Sequence, residues 1–304
     1  MIAIDLGSNT LRVLEYDCIN NRATAQFEKI VKTADKLAST GVIDHTAVDR
    51  VIYAIKEAQQ QIDFNGQKVV AVTTEAVRRA KNGTEVLARI AKETGVLFRI
   101  IDGDEEAQLT LLAVRERLKK LHHGADSFVL VDIGGGSTEI IFSYGDTHIS
   151  RSFPLGIVTI AQEYETLERI SEVLPQEMLS MQMFCAEIFA TRGNVDAFVA
   201  TAGTPTTVAA MKLGQTYATY DASKINGTSL QKEELDYYLH KLLSMPFAER
   251  EETVGTGRSD LIAAGILIFK QLYIILESNT CIVIDDGLRE GVALDMCRKS
   301  PTLG

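Results

Sequence analysis

The sequence predicts an α/β protein made of two similar halves, each running βββαβαβα. Three observations carry this. The stretch LVDIGGGSTEIIFSYGD at 130–146 is close to a second copy of IAIDLGSNTLRVLEYD at 2–17. A chain of 304 residues suits two domains, at roughly 100–200 residues each. In both halves apolar strands separated by short turns come first, and helical spacing then alternates with further strands.

In the first half, IAIDL and TLRVLEYD flank a small polar turn, and RATAQFEKIVKTA supplies a third strand. TAVDRVIYAIKEAQQQI repeats apolar residues at helical spacing. Strand KVVAVTT, a helix around TEVLARIAKET, strand VLFRII and helix DEEAQLTLLAVRERLKKL complete it. The second half reads as strands SFVLVDI, TEIIFSYG and THISRSF, then a helical region PQEMLSMQMFCAEIFATR in which Pro175 suits a helix start. Strand VDAFVATAG, helix TPTTVAAMKL, helical segments around 231–243 and 258–276, strand NTCIVIDDG and helix LREGVALDMCRK follow. The domains are expected at 1–124 and 125–304, with HHGAD at 122–126 as the junction. The last helix is free to pack back on the first domain.

Composition narrows the function classes. Hydrophobic residues make up 46% of the chain, enough for a core that needs no metal or disulfide. The four cysteines, Cys18, Cys185, Cys281 and Cys297, form no CxxC pair and are expected to be reduced core residues of a cytoplasmic protein. Met1–Gly7 lacks the charged and apolar regions of a signal peptide. The longest apolar run, Leu261–Phe269, is too short to span a membrane and reads as a buried helix. Net charge is −10, from 41 acidic and 31 basic side chains, with the excess in the second half. That balance argues against a nucleic-acid binder; a small polyanion would need a local positive site.

Five stretches carry chemistry. In DLGSNT (Asp5–Thr10) and DIGGGST (Asp132–Thr138) a strand ends in Asp, a glycine turn follows, and a second strand begins. Such a turn presents backbone amides to an anion, the hydroxyls of Ser8, Thr10, Ser137 and Thr138 add donors, and the Asp suits Mg²⁺. The motif is neither a Walker loop nor a dinucleotide fingerprint, because the turn leads into a strand. Depending on where the extra glycine is aligned, the first copy places Arg12 or Leu11 where the second has Glu139. DGDEEAQL (Asp102–Leu109) sets four acids at a helix start; Glu105 or Glu106 suits a general base, and position does not choose between them. VATAGTPTTVAA (Val199–Ala210) is a strand, a turn at Gly203–Thr204 and a helix whose first amides favour an anion. TTEAVRRAKNG places Arg78, Arg79 and Lys81 at a strand's C-terminal end, where α/β sheets bind ligands.

Taken together, DLGSNT, RRA after a strand, GDEEA, DIGGGSTE, TAGT and DDGLREG resemble the motifs of the exopolyphosphatase and guanosine pentaphosphate phosphohydrolase (Ppx/GppA) family, in family order over residues 5–291. The resemblance implies two ribonuclease-H-like domains of the actin, Hsp70 and sugar-kinase superfamily, with the active site in the cleft between them. It implies Glu106 as catalytic base, Asp132 and Glu139 as acids linked to Mg²⁺ with Asp5 facing them, and Arg78 as a phosphate contact. Phosphate binding is expected at Gly7, Ser8, Asn9, Thr10, Gly134, Gly135, Gly136, Ser137, Thr138, Gly203 and Thr204. Longer members continue into helical domains; ending at Gly304, this chain is expected to be the short form without a long polyphosphate channel. The implied reaction is Mg²⁺-dependent hydrolysis of a terminal phosphoanhydride in polyphosphate or in a guanosine polyphosphate such as pppGpp, by a protein for which a homodimer is one expected state. These substrates and nucleoside triphosphates share a terminal group, so the residues do not choose among them. A kinase-like phosphotransferase and a non-catalytic nucleotide-binding sensor are the rival readings on the same fold.

Overall fold

The first sheet grows from the opening repeat. In the computed structural model, which describes residues 1–299, β1 (Ile2–Leu6), β2 (Thr10–Asp17) and β3 (Arg22–Ile30) form the expected meander. The short α1 (Leu37–Thr40) and the long α2 (His45–Gln61) follow, then β4 (Val69–Thr73), α3 (Glu75–Arg79), α4 (Gly83–Thr94), β5 (Phe98–Ile100) and α5 (Gly103–Lys120). The strand order is β3-β2-β1-β4-β5, with β1, β4 and β5 parallel. The side chain of Asp44 accepts the amide of Thr46 to cap α2, and Gly95, at φ 75°, ends α4 in the left-handed conformation that glycine tolerates.

The second sheet repeats the pattern with insertions. β6 (Ser127–Ile133), β7 (Thr138–Tyr144) and β8 (Thr147–Phe153) are again a meander. Three helices follow: α6 (Ile157–Tyr164), α7 (Leu167–Glu177) and α8 (Leu179–Arg192). Pro175 does not open a helix but lies near the end of α7, and the helical region extends further upstream than its spacing indicates. β9 (Ala197–Thr201), α9 (Gly203–Lys212), α10 (Ala222–Ile225) and a short strand β10 (Thr228–Gln231) come next, followed by α11 (Lys232–Ser244), α12 (Phe247–Val254), α13 (Ser259–Ile275) and β11 (Thr280–Val283). The order is β10-β11-β9-β6-β7-β8. The last described element is α14 (Leu288–Lys299).

Two compact units divide the chain: 1–114 with 286 onward, and 115–285. The division falls inside α5 rather than near residue 124. Arg115, the first residue of the second unit, bonds Ser143 and the Gly145 carbonyl through its guanidinium. The final helix groups with the first unit, so the second does not run on from 125 to the end of the described residues. Its Leu288, Val292 and Ala293 pack with Ala3, Leu14, Leu109 and Ala113 into one apolar cluster. The main chain of Leu109 comes so close that a Cβ at Gly291 would sit 1.9 Å from the Leu109 carbonyl oxygen. In the second unit Phe142, Phe153 and Phe184 form one aromatic group, and Phe198, Phe269 and Tyr273 another. The apolar run 261–269 is the buried heart of α13, as read.

Alternation along the strands decides which side chains share a face. Ala3 faces the α5–α14 cluster, and Asp5, two residues on, points the same way. The same rule aligns Arg12 with Leu14. Antiparallel register sets Asp5 opposite Arg12, and Arg12 opposite Glu28. In the second unit Asp132 stands opposite Glu139, and Glu139 opposite Ser152.

Candidate active site

The two glycine turns are geometrically alike. In the first, the Gly7 amide donates to the Thr10 carbonyl at 3.0 Å; in the second, Gly134 donates to Ser137 at 2.9 Å. Leu6 pairs with Leu11 and Ile133 with Thr138, so both turns have the same length and no extra glycine has to be accommodated. The structural counterpart of Glu139 is therefore Arg12, not Leu11.

Each turn is held by its carbonyls. The Ser8 carbonyl accepts from Ala34, and that of Asn9 from Val31 and Lys32. The Gly134 and Gly135 carbonyls accept from Ile157 and Val158 at the start of α6. A trans peptide points its C=O and the next N–H in opposite directions. The amides of Asn9, Gly135 and Gly136 are consequently turned away from these supports, as anion binding requires. The second turn sits so close to α6 that a Cβ at Gly156 would lie 2.5 Å from the backbone of Gly135.

The hydroxyls expected on phosphate divide. Ser8 and Thr10 are buried with the turn. Ser137 donates instead to Glu139 Oε1 at 2.7 Å. The fully buried Thr138 donates to the Leu155 carbonyl at 2.7 Å, which commits its hydroxyl to the fold. Thr204 is buried against α13, where a Cβ at Gly265 would lie 2.1 Å from its Oγ1. The Thr138 hydroxyl is thus committed to the fold, whereas among the described residues nothing hydrogen-bonds the buried Thr204 Oγ1. The Asn9 side-chain oxygen is buried, and among the described residues nothing hydrogen-bonds it.

The polar rows across the two sheets differ in composition. In the first unit the row is Asp5, Arg12, Glu28: Arg12 Nε bonds Glu28 at 3.1 Å and its Nη1 lies 3.9 Å from Asp5. Burial pushes the Asp5 carboxyl up to about 6, against the pull of Arg12 and Arg289. Among the described residues nothing hydrogen-bonds Asp5 Oδ1. In the second unit the row is Asp132, Glu139, Ser152, with Ser152 donating to Glu139 Oε1 at 2.7 Å. Two carboxylates directly opposite on neighbouring strands repel, and a cation offsets that repulsion. Among the described residues no three His, Cys, Asp or Glu side chains form a metal cage. Mg²⁺ characteristically takes one or two carboxylates and completes its shell with water and phosphate oxygens. The Asp132–Glu139 pair fits that requirement, and Asp5 is the acid at the position of Asp132 in the first unit.

The acids at the start of α5 separate cleanly. Asp102 caps the helix by accepting the Glu105 amide at 2.8 Å. Glu105 is held in a two-pronged ion pair with Arg99 and is partly exposed. Glu106, about 100° further round the helix, is buried and lies 3.8 Å from Arg78 Nη1. Arg78 is fixed by Glu75 and by the Ile101 carbonyl at 2.7 Å. Arg79 is half exposed and reaches Glu75 at 3.5 Å. Glu105 is thus a partly exposed ion-pair partner of Arg99, while Glu106 is the buried acid beside Arg78.

Three further residues were not legible in the sequence. Arg258, buried just before α13, brings its guanidinium to the start of α9: a Cβ at Gly203 would lie 2.7 Å from its Nη2. A helix N-terminus and a guanidinium both favour negative charge. Ala202, in the same turn, has φ 70° and ψ −171°, a region that side-chain-bearing residues rarely occupy and that concentrates at functional sites. Arg289, at the start of α14, bonds Glu290 and reaches Gln26 on β3 at 3.4 Å. DDGLREG marked that stretch without assigning its Arg a partner.

The cysteines need the largest correction. Cys18 and Cys297 form a disulfide across a sequence separation of 279. Only Cys185 and Cys281 are free and buried as expected. Neither disulfide partner has a local signal, because 279 positions of chain separate them. Among the described residues no helix is long and apolar enough to cross a membrane.

Comparison with known proteins agrees with this architecture. The model of the Ppx/GppA phosphatase family matches residues 22–300. The chain is 28% identical over 303 residues to "Exopolyphosphatase 1" of Mycobacterium leprae, covering 96% of this chain and 87% of that protein. It is 27% identical over 319 residues to "Exopolyphosphatase 2" of Mycobacterium tuberculosis, covering 97% of each. Among solved structures, the Aquifex aeolicus member of the Ppx/GppA family superposes with a TM-score of 0.74 at 30% identity, covering 98% of this chain and 97% of that one. An exopolyphosphatase from Cytophaga hutchinsonii reaches a TM-score of 0.84 at 22% identity, over 98% of this chain and 97% of that one, a likeness of fold. The fold is the two-domain actin-like one, and the chain belongs to the Ppx/GppA phosphatase family.

Proposed function

We propose that the protein hydrolyses the terminal phosphoanhydride bond of inorganic polyphosphate or of guanosine pentaphosphate (pppGpp), with Mg²⁺ as cofactor and Glu106 as general base. The observation that carries this is the buried Glu106 carboxylate beside a fixed Arg78, in a chain of this phosphatase family. In phosphoryl transfer most of the gain comes from positioning and charge stabilisation. Arg78, immobilised by Glu75, contacts a phosphate oxygen without having to be ordered first. Glu106 accepts the proton of the attacking water. The amides of Asn9, Gly135 and Gly136 receive negative charge on phosphate oxygens, and Arg258 does the same at the α9 turn. Asp132 and Glu139 would hold Mg²⁺, with Ser137 and Ser152 fixing the Glu139 carboxylate. When bound, the ion neutralises phosphate charge. The proposed cytoplasmic setting is tied to the redox state of the Cys18–Cys297 pair, since disulfides persist in oxidising compartments.

The test is phosphate release from tripolyphosphate, long-chain polyphosphate, pppGpp and ATP, with Mg²⁺ and with chelator. Glu106→Gln is expected to lower kcat by about 10²–10⁴-fold, the usual span for a general base, with folding unchanged by circular dichroism. Release within a few-fold of the parent protein would refute the assigned base. Transfer of phosphate to an added acceptor in place of release would refute hydrolysis.

A further inference from the structure

We propose that the Cys18–Cys297 disulfide is a reversible redox site that governs how firmly α14 is fastened to the β2–β3 hairpin, and through that hairpin the Arg12–Glu28 pair beside Asp5. The helix is held by that hairpin at both ends. At its start, Arg289 reaches Gln26 on β3 and forms an ion pair with Glu290, both members buried. Near its end, Cys297 is joined to Cys18 in the turn that follows β2. Between these points Leu288, Val292 and Ala293 lie in the apolar cluster shared with Ala3 and Leu14. The same two strands carry Arg12 and Glu28, the neighbours of Asp5 in the polar row.

The bond is placed for exchange. Cys18 is exposed, and the adjacent Ile19 is 95% exposed. The two other cysteines do not compete for it. Both are buried, and burial pushes the Cys185 thiol up to about 12 and raises that of Cys281 strongly, which suppresses the thiolate that exchange needs. The co-reactant is a dithiol reductant. Its thiolate attacks Cys18 Sγ, the S–S bond breaks, and the Cys297 sulfur leaves as a thiolate and takes up a proton. The reductant's second thiolate then attacks the mixed disulfide. Cys18 is released as a thiolate and protonated, and the reductant departs as a disulfide carrying the two-electron oxidation. With the bond open, α14 keeps its apolar contacts but loses its covalent anchor, and its Cys297 end and the turn after β2 are free to fray. The catalytic consequence rests on the phosphohydrolase reading; the mechanical one does not.

The test is hydrogen–deuterium exchange on the full chain, oxidised and after dithiol treatment, beside Cys18→Ser. Thiol counting under denaturing conditions should give two free thiols in the oxidised protein and four in the reduced. Reduction should speed exchange by about five-fold or more in segments 292–299 and 14–22. Cys18→Ser should exchange like the reduced form and ignore the dithiol. The KM for tripolyphosphate should rise on reduction, with kcat changed less. Four thiols after treatment with an oxidant, or unchanged exchange at 292–299 and 14–22, overturns the proposal. Unchanged KM alongside faster exchange overturns its catalytic half. An exchange difference without phosphate release in either form supports the fastening and counts against the phosphohydrolase reading.

Discussion

Asp5→Asn isolates what burial does to the first hairpin's carboxylate. Asp5 is almost wholly buried, and its carboxyl titrates at about 6 instead of 3.8. Desolvation is the largest cause, and Arg12 and Arg289 offset only part of it. Between these two values the folded protein keeps a proton that the unfolded chain has released. Stability therefore falls as pH rises from about 4 to about 6 and levels off above. A shift of about two units corresponds to about 3 kcal/mol. Asparagine has nearly the same shape and no charge to desolvate, and Arg12 keeps its bond to Glu28. Urea denaturation of both proteins from pH 4 to pH 8, with the disulfide intact, measures the difference. The stability of Asp5→Asn minus that of the parent should grow by about 2–2.5 kcal/mol from pH 4 to pH 7 at unchanged m-value, since part of the full change already lies below pH 4. The gain is bought with activity, since phosphate release should drop. A stability difference that stays flat with pH, or an Asn variant less stable than the parent at pH 8, would refute the reasoning.

Ala202→Gly should stabilise the second unit, because Ala202 occupies a glycine-favouring conformation at φ 70°. Relief of about 1–3 kcal/mol of strain, less about 0.5–1 kcal/mol for glycine's greater unfolded-state freedom, leaves a gain of about 1 kcal/mol, read as a higher urea midpoint. Gly156→Ala should cost about 2–3 kcal/mol, because its Cβ would meet the backbone of Gly134 and Gly135. The same variant should depress phosphate release, because relieving the clash displaces the second turn; an active variant of parental stability would mean that the turn and α6 are not closely coupled.

The motifs were legible because they are local. A strand ending in Asp, a glycine turn and a second strand follow from propensities and spacing within about ten residues, and both hairpins formed where that pattern placed them. The acidic start of α5 was equally plain, but neighbouring positions on a helix look alike until something packs against one of them. Arg99 claims Glu105 and Arg78 stands beside Glu106, and these partners come from different elements. Thr138 and Thr204 show the opposite case. Both look like donors in a string of letters, and both are turned inward by Leu155 and Gly265, residues that no local pattern connects to them.

By itself the sequence determined the repeat, the α/β order, the two Asp-glycine hairpins and the short list of acids that could do chemistry. Each of these depends on contacts between near neighbours in the chain. Tertiary structure alone decided that Arg12 stands opposite Asp5 while Glu139 stands opposite Asp132, so that one row sets a guanidinium beside its aspartate and the other sets two carboxylates side by side. It also decided that Arg258 lies over the α9 turn, that Arg289 reaches the first hairpin, and that Cys18 meets Cys297. The physical reason is common to all of these. Cross-strand register is set by turn geometry and by which face is buried, and the meeting of distant side chains is set by how whole elements pack.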